Sequence, residues 1–320
     1  MSFDRAKWLV DEFARAFERS IGKPPEMRAW MDGFEPTVHP EFVRLKEYER
    51  SLIPEARRHE FDMLSSNGYG LAHRDDWQAS YQALAAVGFT GIGFAIHGLE
   101  EEHDWFVRRP GAYRDILVAV ERTLASGMRA QVWICMNARN VQSFGAVVKA
   151  LDDLGGGAIR IVAGVPAFHS NERLRAFEAL RPTRADVEPI MEDLRQTAWD
   201  ADTQAHWTGR LMDAGRDACP HTYESAGKGP SQRTLGRFRI TPELGVRELF
   251  FSRPAVDHGN IGRDGIARVW RRVLEADLPA LPEPEELAAR YGDLQSERLH
   301  PGGDSVYMKL CDTWWQRQGE

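Results

Sequence analysis

The sequence has little cysteine and no long apolar run. Its three cysteines, Cys135, Cys219 and Cys311, lie far apart, which excludes a disulfide framework and paired Cys-x2-Cys metal ligands and predicts reduced thiols. No stretch offers the roughly 20 apolar residues that a membrane-spanning helix requires. The first residues, Met1 to Phe17, carry charges throughout, unlike a secretory signal. We therefore expect a cytoplasmic protein that has no membrane partner.

Basic residues are also in deficit, and few of them are lysine. The chain has 41 Lys and Arg against 48 Asp and Glu, a net charge of −7, and only six lysines. Because a nucleic-acid-binding protein usually carries a basic excess, this balance argues against a nucleic-acid partner. What is present is a globular composition of 320 residues, 42% hydrophobic and 28% charged, which excludes disordered and fibrous chains.

Helical and strand-like segments alternate along the first half of the chain. Apolar residues with a helical period predict helices, and short apolar runs between them predict buried strands. The predicted helices are 4–20, 41–52, 75–86, 111–126 and 141–154, and the predicted strands are 27–31, 60–64, 91–96, 130–136 and 158–163. Strand starts about 30 to 40 residues apart fit repeated βα units and therefore a parallel α/β fold. Periodicity does not distinguish an open sheet from a barrel.

The connections between these elements are asymmetric. Turns from helix to strand are short and plain, whereas the connections from strand to helix are rich in polar residues, Gly and Pro: 32–40, 65–70, 97–104, 137–140 and 164–170. In a parallel sheet the carboxyl ends of the strands lie at one edge, so these five loops are expected to converge on a functional site. The alternative is that they are polar simply because they lie at the surface.

A second module is expected after residue 180. A helix is predicted at 184–195, followed by a polar, Gly-containing stretch, a hairpin of strands 237–240 and 246–251, and a helix at 263–275. A Pro-rich linker that begins at Leu278 leads to a last helix and a Trp-containing tail. We therefore divide the chain into residues 1–180 and a smaller α+β module, 181–320.

The five polar loops, in this order, resemble the core of the radical S-adenosylmethionine (radical SAM) superfamily. Asp32-Gly33-Phe34-Glu35-Pro36 is similar to the Gly-Gly-Glu-Pro segment of that family, with Phe34 in place of the second Gly, and Ser66-Asn67-Gly68 resembles its Thr-Asn-Gly. The segments 96–113, 137–140 and 164–166 are similar to those that follow its later strands. The resemblance covers residues 1 to about 175 and implies a partial (β/α)6 barrel of the TIM-like type.

The resemblance also implies a cofactor site at these loops. Glu35 stands where the family has a carboxylate near the amino group of S-adenosylmethionine, a physically sensible pairing. Ser66 and Asn67 suit hydrogen bonds to a ribose or a carboxylate, and they equally suit a turn in which they bond to their own backbone. The residues implied in cofactor binding are Gly33, Glu35, Pro36, Ser66, Asn67, His97, Asn137 and Val165. By the same resemblance, the substrate is a peptide or a small metabolite.

One part of the family pattern is missing from the sequence. The superfamily holds a [4Fe-4S] cluster with a Cys-x3-Cys-x2-Cys loop after its first strand, and these 320 residues contain no such loop. Met1 to Ala6 resembles the start of the helix that normally follows the loop, so we expect the first strand and the cluster arm to be absent. The three cysteines cannot reproduce the ligand spacing. We therefore expect this chain alone to be inactive in reductive cleavage of S-adenosylmethionine.

A short segment of the second module also resembles part of a known domain. Gly259-Asn260-Ile261, followed by a helix that contains Trp270, looks like the end of the SPASM or twitch accessory domain of radical enzymes that modify peptides and small molecules. The cluster cysteines of that domain are absent here as well. The resemblance implies an accessory module beside the barrel.

Other chemistry remains open. His97, His103 and Asp104 are two imidazoles and a carboxylate of the kind that bind iron or zinc, although the acidic residues between the histidines also suit a helix start. Asn137 and Asn140 suit a nucleoside site, and Asn140 equally suits a helix cap. Three functions follow: a radical SAM enzyme whose cluster arm is absent from this chain, a cluster-less relative that binds a ligand or a protein partner, and a barrel enzyme with His and carboxylate chemistry.

Overall fold

The computed structural model describes residues 1–22, 35–165, 177–195, 197, 237–249, 255–276 and 286. The chain forms two compact units, the first from residues 1–10, 26–165 and 182–200 and the second from residues 11–25, 166–181 and 201–320. The predicted strand 27–31, the polar stretch before residue 237, and the linker and tail after residue 276 lie outside the described residues. None of the described helices combines the length and apolarity needed to cross a bilayer.

A parallel sheet forms the centre of the first unit. Strands β1 (Met63–Ser65), β2 (Gly91–Ile96), β3 (Arg129–Cys135) and β4 (Ile159–Gly164) are hydrogen-bonded in this order, and every pair is parallel. The parallel α/β class predicted from the βα period is confirmed. The four described strands do not by themselves show closure into a barrel.

Helices connect these strands. α1 (Phe3–Ile21) and α2 (Phe42–Ser51) precede β1; α3 (Tyr69–His73) and α4 (Trp77–Val87) join β1 to β2; α5 (Glu100–Val107) and α6 (Ala112–Ala125) join β2 to β3; α7 (Phe144–Gly155) joins β3 to β4; α8 (Arg184–Val187) and α9 (Met191–Arg195) follow. Short 3-10 helices occupy Pro36–Val38, Glu55–Phe61, Val141–Ser143, Glu178–Leu180 and Glu188–Ile190.

Two short helices, α3 and α5, stand where the sequence predicted loops. α5 begins with three acidic residues, and the Glu102 carboxylate accepts the Leu99 N–H at 2.8 Å, which stabilises the first turn. The strand predicted at 60–64 begins only at Met63, because Glu55–Phe61 is helical. The helix predicted at 184–195 is divided into α8, a 3-10 turn and α9 around Pro189, which has no N–H to donate.

The sheet of the first unit has a buried face and an open face. Because side chains alternate along a strand, Ile92, Phe94 and Ile96 of β2 all point to the face that is covered by helices, together with Val132 and its alternate neighbours on β3. α6 and α7 supply the covering side chains. The intervening residues of β2 and β3 lie on the opposite face, where Trp133 is 45% exposed. This open face adjoins the candidate site.

The second unit contains an antiparallel sheet. β5 (Arg237–Ile240) and β6 (Gly245–Leu249) form the predicted hairpin, and β7 (Val256–Asn260), which the sequence did not predict, pairs with β6. α10 (Ile261–Asp264) and α11 (Ile266–Glu275) follow. The predicted helix 263–275 is interrupted between them at Gly265, whose φ of 77° does not fit a continuous helix.

Aromatic side chains form the core of this second unit. Trp270 is 3% exposed, and its ring centroid lies 4.8 Å from that of Phe13 and 5.8 Å from that of Phe17. The Asn260 side chain accepts the Arg263 N–H at 3.1 Å and donates to the Glu243 carbonyl at 2.6 Å. Asn260 therefore ties β7 to the hairpin and begins α10. The resemblance to an accessory domain stays a prediction.

Candidate functional site

A carboxylate latch joins two of the strand-to-helix loops in the first unit. Glu35 precedes the 3-10 helix Pro36–Val38, and its carboxylate accepts the Thr37 N–H at 3.0 Å, the Ser66 hydroxyl at 3.0 Å to each oxygen, and the Asn67 N–H. The Thr37 hydroxyl also donates to it. Three of the residues predicted for cofactor binding are thus brought together. Four donor groups occupy most of the acceptor capacity of the Glu35 carboxylate.

Glycine permits the close packing around this latch. A Cβ on Gly70 would overlap the hydroxyl and the carbonyl of Thr37, which is fully buried. Gly68 has a φ of 83°, and a Cβ there would lie 2.9 Å from the backbone of Ile116 in α6. The latch therefore depends on small residues in the Ser66-Asn67-Gly68-Tyr69-Gly70 segment.

The Ser66-Asn67-Gly68 segment forms a turn, which is one of the two structures predicted for it. The Asn67 side-chain oxygen accepts the Tyr69 N–H at 3.0 Å, and the Ser66 hydroxyl oxygen accepts the Gly68 N–H at 3.0 Å. These bonds orient the Asn67 amide at the end of β1. Its NH2 group remains as a donor on a side chain that lies at the surface of the cleft.

Two imidazoles follow β2, of which His103 is buried and His97 is half-buried. The ring of His97 stacks on Phe106 at 3.8 Å between centroids, and the backbone N–H of His97 donates to Nδ1 of His103 at 3.1 Å. Burial lowers the pKa of His97 to about 3, with a further contribution from His103, and burial lowers the pKa of His103 to about 4. Both rings are therefore neutral at physiological pH.

The tautomers of these histidines follow from their surroundings. Nδ1 of His103 accepts a hydrogen bond, so its proton lies on Nε2. Nδ1 of His97 is buried and has no hydrogen-bond partner among the described residues. A buried N–H without an acceptor would be costly, which favours an unprotonated Nδ1 and an Nε2–H on His97 as well.

The predicted metal alternative at His97, His103 and Asp104 has no support in this geometry. The Asp104 carboxylate accepts the Gly111 N–H and the Tyr113 N–H, the latter at 2.9 Å, and so caps the start of α6. In the described parts of the chain, no three His, Cys, Asp or Glu side chains are grouped so that they could hold a metal ion. Instead, His97 stacks on Phe106, His103 accepts the backbone N–H of His97, and Asp104 caps α6.

Arg109 is a site residue that the sequence reasoning did not select. It follows α5, donates to the Asp115 carboxylate and lies over the ring of Tyr69, 5.0 Å from its centroid. Asp115 also binds His73 at 2.8 Å, so the guanidinium group has a fixed position. Arg109 falls within segment 96–113, which was noted only for its resemblance, and an isolated Arg in a loop carries no signal of its own.

The side chains of Asn137 and Asn140 accept hydrogen bonds from each other's backbone N–H groups. The Asn137 side chain accepts the Arg139 N–H at 2.9 Å, and the Asn140 side chain accepts the Asn137 N–H at 2.7 Å and donates to the Cys135 carbonyl at 2.9 Å. Asn140 stands at the predicted N-cap position, before the 3-10 helix Val141–Ser143, but its side chain bonds to the preceding turn and does not cap the helix. Both residues are buried, as is Val165 at the end of β4.

The latch, the imidazole pair and Arg109 adjoin one cleft. It has a volume of about 520 Å³ and lies at the carboxyl ends of β1 and β2, extending over the open face toward Trp133. Of the residues predicted for cofactor binding, Ser66, Asn67 and His97 line it. The cleft lining does not include Glu35, Pro36, Asn137 or Val165, and Gly33 lies outside the described residues.

The cleft has a marked donor character. None of the described residues that line it is acidic, although the whole chain carries a net charge of −7. Its polar groups include the Arg109 guanidinium, the Asn67 amide and the imidazoles of His97 and His103. A volume of this size suits a small ligand, and the wall suits one that carries an anionic or acceptor-rich group.

Comparisons with known proteins give similarity to solved structures. No protein-family model matches the sequence, and no curated protein is similar to it. Among solved structures, the chain is similar to native anSMEcpe, a radical SAM anaerobic sulfatase-maturating enzyme, with bound AdoMet and Cp18Cys peptide. The identity is 12% and the TM-score 0.43, and the match covers 96% of this chain and 89% of that chain. The chemistry of the cleft is accordingly taken from its own residues.

Proposed function

We propose that this chain is a radical SAM-like protein whose first unit, a partial barrel, binds S-adenosylmethionine in the cleft and acts on a peptide or a small metabolite. The observation that carries the proposal is the cleft itself, which lies at the carboxyl edge of a parallel sheet and is lined by hydrogen-bond donors, Arg109 among them, without carboxylates. The loops that line it are the ones whose sequences resemble the superfamily. S-adenosylmethionine combines a carboxylate with a nucleoside, and the donors of this wall suit those two groups.

Each residue of the wall has a distinct part in the proposed complex. Arg109, oriented by Asp115, pairs with the carboxylate of the ligand. Asn67 and His97 donate to acceptors of the ribose or the base, His97 through Nε2–H. The orphaned Nδ1 of His97 fixes that tautomer. Glu35 and Ser66 position the loop and do not need to touch the ligand.

The residues present do not fit a [4Fe-4S] cluster. The described cysteine, Cys135, lies in β3, and burial raises the pKa of its thiol to about 12, whereas a cluster needs thiolates. Cys219 and Cys311 lie outside the described residues, and the sequence has no Cys-x3-Cys-x2-Cys. S-adenosylmethionine supplies an adenosyl group on a sulfonium centre, and no reductive step is assigned to these residues. This donor set favours, as a second candidate, a ligand-binding protein without reductive chemistry.

Replacing Arg109 tests the proposed cofactor. We expect Arg109→Gln to weaken S-adenosylmethionine about 10- to 100-fold in calorimetric titration, because a charged hydrogen bond contributes roughly 1.5–3 kcal/mol. 5′-Methylthioadenosine, which has no carboxylate, is expected to bind the variant and the unmodified protein equally. Arg114→Gln is the matched control, since Arg114 is exposed and pairs with Glu100 on the surface. Equal loss of both ligands, or no binding of either, would contradict the proposal.

A separate experiment tests whether the chain can hold an iron–sulfur cluster. After incubation with iron, sulfide and dithionite, the purified 320-residue chain is expected to form no 5′-deoxyadenosine from S-adenosylmethionine above a protein-free blank. Chromatography with mass detection gives the amount. Formation of even one equivalent per chain would show that these residues hold a competent cluster after all.

A further inference from the structure

The open face of the first unit's sheet presents one large aromatic side chain. Trp133 lies in β3, between β2 and β4, and is 45% exposed. A tryptophan in the middle of a sheet would normally bury most of its surface. Its exposure on a wall of the cleft marks it as a candidate contact for a ligand.

Small residues lie beside this indole on β2, and Val162 stands opposite it on β4. Ala95 of β2 stands opposite Trp133, and a Cβ added to Gly164 of β4 would lie 3.3 Å from the indole Nε1 and 3.5 Å from Cζ2. The indole therefore leans across β4 at Gly164, where a larger residue would displace it. With Gly93 and Ala95 on the other side, its outer surface stays uncovered within the described part of the chain.

A cation lies on the same face. Arg160 of β4 is exposed, stands opposite Gln131 and has no hydrogen-bond or ion-pair partner among the described residues. Strand spacing and rise place the Cα atoms of Trp133 and Arg160 about 8 Å apart on the diagonal. On this face none of the β2, β3 and β4 side chains is acidic.

We propose that Trp133 and Arg160 bind the substrate, and that this substrate carries a flat aromatic ring joined to a carboxylate. The ring stacks on the indole, and the carboxylate pairs with the guanidinium group. Aryl-alkyl carboxylic acids and peptides with an acidic residue beside an aromatic one share this chemistry. The inference rests on the proposed function, because Trp133 lines the same cleft, while Arg160 lies outside the cleft lining and stands beside Gln131 on the adjoining sheet face.

Binding of defined probes tests the inference. The protein carries 15N-labelled indole groups, and the Trp133 resonance is identified by its absence from Trp133→Leu. 4-Phenylbutyrate and acetyl-Phe-Glu-amide are expected to shift that resonance, whereas 4-phenylbutanamide and acetyl-Phe-Gln-amide bind more weakly. The ratio of the affinities of the two acidic probes distinguishes a free acid from a peptide as the source of the chemistry.

The variants separate the two contacts. In calorimetric titration, Trp133→Leu is expected to weaken the acidic probes about three- to tenfold, and Arg160→Gln to abolish the preference for acid over amide. Gly164→Ala, whose Cβ would lie 3.3 Å from the indole Nε1 and shift the ring slightly, is expected to weaken the acidic probes less than Trp133→Leu does. Trp8→Leu and Arg57→Gln remove an exposed tryptophan and an exposed arginine elsewhere and are expected to change nothing.

Two results would overturn the assignment. One is that no probe shifts the Trp133 resonance at millimolar concentration in a variant series that unfolds at the same temperature as the unmodified protein. The other is that S-adenosylmethionine shifts this resonance and loses as much affinity from Trp133→Leu as from Arg109→Gln, which would place the cofactor on the indole. Failure of S-adenosylmethionine to bind at all would contradict the proposed function and leave the probe results standing.

Discussion

Lowering the pH from 8 to 5 is expected to destabilise the first unit by about 4 kcal/mol through His97 and His103 alone, since each pKa unit corresponds to about 1.4 kcal/mol. Burial lowers the pKa of His97 to about 3 and that of His103 to about 4 in the fold. The unfolded chain, with imidazole pKa values near 6.5, binds more protons in this range. The stability contributed by the neutral rings is therefore complete above pH 6.5 and is lost as the pH falls toward 4.

Urea denaturation at a series of pH values measures this effect. His97→Phe keeps a ring to stack on Phe106 and removes one titrating group, so the slope of the unfolding free energy between pH 6.5 and 5 should fall by up to about 1.4 kcal/mol per pH unit. His59→Gln alters an exposed histidine and should leave the slope in place. An unchanged slope in His97→Phe would mean that the imidazole is hydrated and charged in the folded protein.

Removing the Glu35 carboxylate is expected to cost about 3 kcal/mol of stability, because buried or half-buried donors that lose a charged acceptor each cost roughly 1–3 kcal/mol and do not add fully. Glu35→Ala leaves the Ser66 hydroxyl and the N–H groups of Thr37 and Asn67 without their acceptor. Glu35→Gln keeps one carbonyl oxygen and should lose less. Affinity for S-adenosylmethionine should fall in parallel, since Asn67 loses its position.

The control for this latch is Glu47→Ala in α2. Glu47 is exposed, and surface substitutions of this kind usually stay within about 0.5 kcal/mol. Thermal and urea unfolding give the stability, and calorimetric titration gives the affinity. If Glu35→Ala kept full stability but lost the ligand, Glu35 would contact the ligand directly, as the resemblance implies, and the latch interpretation would be wrong.

The elements that the sequence predicted correctly are those with a long, regular period. α1, α2, α4, α6 and β2 lie within two residues of their predicted bounds, because an apolar stripe specifies both the period and the buried face. α3 and α5 were missed because each is shorter than three turns and is stabilised by local bonds, such as that from Leu99 to Glu102. β7 was missed because Val256–Asn260 contains Asp, His, Gly and Asn and depends on pairing with β6.

The site residues likewise divide into those that the sequence predicted and those that it missed. Ser66, Asn67 and His97 were selected from loops that follow predicted strands, and they line the cleft. Arg109 and Trp133 were not selected. Trp133 alternates with the buried Val132 and Ile134, so the strand period could have placed it on the opposite face of the sheet.

The sequence by itself determined the parallel α/β class, the positions of the polar loops at the strand carboxyl ends and the absence of a cluster-binding cysteine motif from these residues. These are properties of period, composition and spacing, which local physical chemistry decides. Only the tertiary structure decided that Glu35 bonds to Ser66 and Asn67, that Asp104 caps α6 and that His97 is a neutral ring against Phe106. Hydrogen-bond partners, burial and pKa depend on residues brought together from distant parts of the chain, and spacing along the sequence does not encode that proximity.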